Sequence, residues 1–440
     1  MLASAGFVVG LKNIWQFPHH LALYGGSAFL ITYIVFLLLL GIPLIMSQIM
    51  LGRLGRSSPA PALATLARRA RVSPRWRWLG LVGILGGFLV FSYYSVVAGW
   101  ILAYAARSAS GSLNGLTAEA AGSVFAVLIK DSEKQLFWFS VFMLATLVTV
   151  AGGLRAGLER MFRYGVPVIF GLLIIMVLYA SSTGSFRLGI EYLLRMDLPQ
   201  LGGDGVLVAL GDAFFSLGLG AVTLMMYGAY LPQQGPVLKL AVYVVLADVA
   251  AGVLAAFAIF PILFAGGGLS AAGPGLVFQS LAVAFDPLPL GAFMRMLLFV
   301  LLALVAWLST VGLVEPVVAW IVETRKISRR RAAAWVGAAA WPLGVISILS
   351  LDQWAFSFSF LGIVRTLGLF DLLIVFTSFV LLPFVAFGLA VFAGWVLSTQ
   401  TTRDALWIQS PCAHDAWLWI NRLGVPVLMI MLLFGVRLFL

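Results

Sequence analysis

Long apolar stretches, separated by short clusters of Gly, Pro, Ser and Arg, recur from one end of the chain to the other. A helix that crosses a bilayer needs about 20 such residues. On that criterion the pattern predicts eleven spans, near 2–22, 28–50, 78–105, 135–152, 164–182, 206–230, 238–265, 290–322, 332–350, 367–397 and 416–438. The longest segments between them, near 51–77 and 106–134, are short. The expected fold class is therefore an all-α polytopic membrane protein, a single transmembrane domain over 1–440 with no separate extramembrane domain. The first apolar run begins at Met1 without the order of basic, apolar and small residues that marks a cleaved signal, so the first span is expected to remain in the product.

Two spans are not written as continuous helices. The run from Ser4 to Pro18 places Gly6, Gly10, Lys12, Asn13 and Pro18 inside a segment otherwise apolar enough to cross, and a second interruption runs from Gly211 to Ala221. Interrupted spans at matching positions, the first and the sixth, point to a transporter of inverted repeats. That predicts repeat one over about 1–182, repeat two over about 206–397 and an extra helix at 416–438. Unwinding frees carbonyls for cations and exposes half-helix N-termini to anionic groups, and such backbone is tolerated at membrane depth only where it lines a cavity. Close packing of helices through small residues is the alternative, but it has no use for the ammonium of Lys12.

Composition agrees: 62% of residues are hydrophobic, 10% charged, and the mean hydropathy is +1.08. A whole-chain soluble enzyme or nucleic-acid binder is excluded. The formal charge of +11 has a different meaning here, because Lys and Arg fall between the apolar runs. With the N-terminus in the cytoplasm, 18 basic residues fall inside and 8 outside, which predicts N-in and, for eleven spans, C-out. The expected location is a bacterial inner membrane, with the lipid bilayer and a small solute as partners and no nucleic acid. A single cysteine, Cys412, and the histidines His19, His20 and His414 offer no zinc or haem pattern, so no organic cofactor is expected and sodium is the one metal ion considered. Enzymatic function would need a converging nucleophile, base or metal constellation, which the pattern lacks.

The residues also carry a family resemblance. Gly6 to Pro18 resembles the G-x-x-V-G-L-G-N-x-W-R-F-P motif of a first span, followed by Gly25 to Phe29, Gly41-Ile42-Pro43 and Gly52-Arg53. Ser92 to Trp100 resembles the third span, Phe214 to Leu217 the sixth, Gly273 to Phe278 the fourth outer loop, and Ser309-Thr310 with Glu315-Pro316 the eighth. The pattern is similar to the bacterial eleven-span neurotransmitter:sodium symporters, with the leucine-transporter-type fold, over nearly the whole chain. That resemblance implies inward transport of an amino acid or related amine by alternating access, coupled to sodium. It implies a first sodium site from Val8, Asn13, Ser216 and Asp248, completed by a substrate carboxylate, and a second from Gly6, Val9, Val305 and Ser309. It implies a substrate pocket of Val8, Gly10, Val90, Tyr94, Phe214, Phe215, Ser216, Gly218, Ala221, Ser309 and Leu313, with the Tyr94 hydroxyl reaching a carboxylate. Tyr33 and Ser216 match positions that hold the halide in chloride-dependent relatives.

The departures from that pattern are specific. Lys12 stands where the motif has glycine, so an ammonium is expected at the unwound centre, among the substrate-binding residues. Its burial costs several kcal/mol unless it is paired, and the expected partners are Asp212 and Asp248, acidic residues where the family has glutamine and asparagine. Leu308 replaces a threonine ligand of the second sodium site, Gln16 and Ile374 replace both halves of an outer ion pair, and Gln48 stands where the family often has glutamate. Sodium-independent or proton-coupled transport, exchange, and a sensor that binds without moving its ligand therefore remain as alternatives to sodium symport.

Overall fold

In the computed structural model the described residues are 8–232, 234–267, 275–352, 354, 356–360 and 363–434, with the side chains of 155, 156, 356–360, 363–367 and 434 excepted. Among them, nine helices are long and apolar enough to cross a membrane. These are α3 (Ser27–Gly55), α5 (Arg77–Ala109), α7 (Ser132–Ala151), α8 (Arg160–Ser181), α12 (Val237–Ala265), α14 (Gly291–Arg325), α15 (Arg329–Ser350), α16 (Leu369–Val396) and α18 (Pro411–Leu433). The first and sixth expected spans are the discontinuous ones. The first consists of α1 (Leu11–Ile14) and α2 (Gln16–Leu23), and the sixth of α10 (Leu198–Ser216) and α11 (Thr223–Tyr230).

Both breaks have local causes. Gly10 is extended (φ −110°, ψ 174°), and the Asn13 carboxamide oxygen takes its N–H at 3.0 Å, which caps α1 from within. In the sixth span the chain leaves helical geometry over Leu217–Val222, where Gly218 (φ 59°), Gly220 (φ 89°) and Val222 (φ 54°) are left-handed. A Cβ on Gly220 would stand 2.2 Å from the Leu382 carbonyl, so only glycine fits there. The interruption is thus narrower than the Gly211–Ala221 run suggested. Gly211 to Ser216 stay helical, with Gly211 to Phe214 buried. The fifth span also begins earlier than 164, through a π-helical turn over Leu154–Glu159.

Short helices join the spans: α4 (Pro59–Arg69), α6 (Ala118–Lys130), α9 (Phe186–Leu194), α13 (Leu281–Ala284) and α17 (Thr399–Leu406). A two-stranded antiparallel hairpin, β1 (Phe356–Phe360) and β2 (Ile363–Leu367), pairs Phe356 with Leu367 ahead of α16. Asp371 caps the start of α16 by accepting the Gly368 N–H at 3.1 Å. The long helices α5 and α14 pack along the middle of the molecule. The fully buried Glu315 of α14 ties three elements together. It accepts from Arg329 of α15 at 2.5 Å and from the Tyr230 hydroxyl of α11 at 2.5 Å, while Arg329 also bonds the Val150 carbonyl of α7.

Candidate functional site

The two breaks border one cavity of about 490 Å³. Val8, Gly10, Leu11, Lys12 and Asn13 come from the first broken span, Val90 and Tyr94 from α5, Phe215, Ser216, Gly218 and Ala221 from the second broken span, and Ser309 and Leu313 from α14. Every residue expected to bind substrate borders it except Phe214, which is fully buried with its ring edge-on to Phe215 at 5.2 Å. Consecutive helical side chains project about 100° apart, so the Phe214-Phe215 pair presents one ring to the cavity and one to the core.

A polar web lies beside this wall. The Asn13 amide donates to the Asp248 carboxylate at 2.7 Å and more weakly to its carbonyl at 3.3 Å. The second Asp248 oxygen accepts from the Tyr33 hydroxyl and, at 3.3 Å, from Ser216. Asp248 is fully buried, and these donors keep its carboxylate satisfied. Tyr94 accepts the Leu11 N–H at 3.3 Å, and Ser309 donates to the Val9 carbonyl at 3.3 Å. The break is thereby pinned to α5, α12 and α14 by side chains rather than by its own helix.

The expected charge network takes a different form. The Lys12 ammonium lies 4.2 Å from the centre of the Phe215 ring, and among the described residues it makes no ion pair. Asp212 instead holds His20 Nδ1 at 2.7 Å, and Asp248 is occupied by Asn13, Tyr33 and Ser216. Both carboxylates are engaged by neighbours of shorter reach, and the ammonium lies over the aromatic face that its charge favours.

Gln16 and Ile374, which stand in place of the outer ion pair, face the same cavity together with Trp15, His19 and His20. On the α16 side Val375, Ser378, Phe379 and Leu382 also line it. Sequence reasoning missed these last four. Ser378, a hydroxyl in an apolar run and one helical turn past Ile374, was the available signal.

Of the proposed second ion site, Gly6 lies outside the described residues, and Val9, Val305 and Ser309 are buried. Leu308 offers no oxygen. Its methyls pack on α8, where a Cβ on Gly165 would meet one at 2.9 Å, and the side chain borders a separate groove of about 550 Å³.

Comparison with known proteins places this geometry. The profile of the Sodium:neurotransmitter symporter family matches residues 1–120 and 133–436. The chain belongs to that family. It is 31% identical to the uncharacterized sodium-dependent transporter YhdH of Bacillus subtilis over 98% of this chain and 94% of the relative. It is 28% identical to an uncharacterized sodium-dependent transporter of Haemophilus influenzae over 98% and 95%. Among solved structures, that of MhsT in complex with L-phenylalanine superposes with a TM-score of 0.87 at 33% identity, covering 99% of this chain and 97% of that one. The fold is that of the leucine-transporter type, and this member of the symporter family is a multi-pass membrane protein.

Proposed function

We propose that this symporter-family protein imports a small zwitterionic solute, an amino acid or a related amine, by alternating access, with the solute held in the 490 Å³ cavity between the two breaks. The observation that carries the reading is the Lys12 ammonium, which borders the cavity beside Phe215 with no carboxylate paired to it among the described residues. A substrate carboxylate is the complementary group. At an effective dielectric near 20, a charge pair about 4 Å apart attracts by roughly 4 kcal/mol before desolvation is charged against it. That is the electrostatic role a first sodium ion would otherwise fill, and Tyr94 is placed to add a hydroxyl.

Sodium, where it is coupled, would be a transported ion rather than a resident cofactor. The groups at the first site, Asn13, Ser216, Asp248 and the Val8 carbonyl, are oxygen ligands of the right chemistry, but the Asn13 and Asp248 side chains are engaged with each other, with Gly10 and with two hydroxyls. At the second, Leu308 removes a hydroxyl and Ser309 bonds Val9 directly. This argues for substrate binding that does not depend on sodium, with Lys12 as the resident cation. The names of the relatives favour a second reading, sodium symport through the Asp248 site. We place the protein in a bacterial inner membrane and assign 1–182 and 206–397 as the two repeats; the excess of basic residues in alternate loops supports a cytoplasmic N-terminus. Uptake of labelled amino acids into proteoliposomes, with and without an inward sodium gradient, tests the reading. Uptake without sodium supports it, strict sodium dependence favours the second reading, and saturable binding without uptake would make the protein a sensor.

A further inference from the structure

At the end of α5 remote from Arg77, four buried polar atoms have no hydrogen-bond partner: Tyr104 Oη, Arg107 Nη1, Ser108 Oγ and Arg295 Nε. Their residues fall at one level of the helix pair. Gly87 lies against Leu313 and the Tyr104 ring lies 5.3 Å from Phe299, so α5 and α14 run antiparallel in a register that brings Ser108 to the level of Arg295. The Arg107 guanidinium stands 5.5 Å from the Tyr104 ring centre. Arg295 is fully buried and otherwise committed: Nη1 donates to the Leu113 and Ala282 carbonyls at 3.1 and 2.8 Å and to Asp286 at 2.7 Å, and Nη2 donates to Asn114. Only Nε is left.

All four atoms are hydrogen-bond donors, and the charges around them do not cancel. Asp286 neutralises Arg295, while Arg107 has no ion pair among the described residues. The carboxylate that feels the Arg107 charge, Asp131, is itself bonded to Lys134 at 2.5 Å. Each unsatisfied buried donor is costly, more so when charged, and native structures fill such places with water or ions. Water can satisfy these donors one at a time, whereas a single anion satisfies them together and also compensates the charge of the half-buried Arg107. We propose that this cluster is a binding site for a small monovalent anion of halide size, bridging α5 and α14. The site sits beneath the segment Leu276–Ala284, whose Ala282 carbonyl is held by Arg295 and whose Phe278 packs on both Tyr104 and Trp15, the latter on the cavity wall. A bound anion therefore fastens the cover of the substrate cavity to the helix bundle.

The test is thermal unfolding of the purified full-length protein in choline chloride or choline bromide against choline gluconate at equal ionic strength, without sodium or substrate. A saturable halide-dependent rise in Tm of about 2 °C or more is expected, lost in Arg107→Gln and kept in Tyr33→Phe. Absence of the rise, its persistence in Arg107→Gln, or its loss in Tyr33→Phe would overturn the proposal. Where Arg107→Gln cannot be purified, crystals grown in bromide decide: an anomalous peak between Arg107 and Arg295 supports the site, and water alone there refutes it.

Discussion

The Lys12 ammonium stands 4.2 Å from the centre of the Phe215 ring, one residue from each of the two broken spans that frame the cavity. This contact joins the helical segments that flank the breaks of the first and sixth spans across the site. Cation–π attraction at a partly desolvated position is worth about 0.5–2 kcal/mol, less than a contact ion pair, so the charge stays available to an incoming carboxylate. Phe215→Leu is expected to retain transport but weaken substrate affinity several-fold, measured by competition binding. Unchanged affinity would show that the ring does not position the ammonium.

Asp212 and His20, paired at 2.7 Å, connect α10 to α2 near the mouth of the cavity. A buried hydrogen bond to a charged group contributes roughly 1.5–3 kcal/mol. Asp212→Asn and His20→Gln should each lower Tm, and the double variant should be no worse than Asp212→Asn alone. Strict additivity in that cycle would mean that the two side chains act independently.

Glu315 is fully buried between Arg329 and Tyr230. Removing its cation by Arg329→Met strands the carboxylate at a cost of about 3–5 kcal/mol. Adding Glu315→Gln should recover much of the lost thermal stability. No recovery in the double variant would point to the Arg329 bonds to Val150, not to the charge, as the stabilising feature.

At the second ion site that the family resemblance implies, Leu308 stands where a threonine hydroxyl is expected. Leu308→Thr restores an oxygen and trades the methyl packing on Gly165 for a cavity cost of about 1–3 kcal/mol. Sodium binding measured by calorimetry should tighten in this variant even as Tm falls, and equal sodium affinity in both proteins would count against the missing hydroxyl.

The broken spans were legible because glycine, a charge and an amide cannot be reconciled with a continuous apolar helix, and the break at Gly10 and most of the cavity wall follow from that. The second break was only roughly placed, because Gly211, Gly218 and Gly220 look alike in sequence, while only Gly218 and Gly220 adopt positive φ. The partners of Lys12 were not legible. Asp212 and Asp248 are the expected counter-charges by type, but Asp212 was already engaged with His20, and Asp248 with Asn13, Tyr33 and Ser216. The α16 wall was missed for a simpler reason: Val375, Phe379 and Leu382 are ordinary residues of an apolar span, and only packing gives them a cavity to face.

The most direct test of the account is equilibrium binding of a labelled amino acid to the purified protein in sodium chloride and in choline chloride, for the wild type and for Lys12→Met. With Lys12 as the resident cation, wild-type affinity should be nearly equal in the two salts, and Lys12→Met should lose binding by at least about tenfold in both, the loss of roughly 1.4 kcal/mol or more expected when a carboxylate loses its counter-charge. Wild-type binding that requires sodium, together with normal affinity in Lys12→Met, would contradict it and leave the Asp248 site as the place where a coupling ion acts.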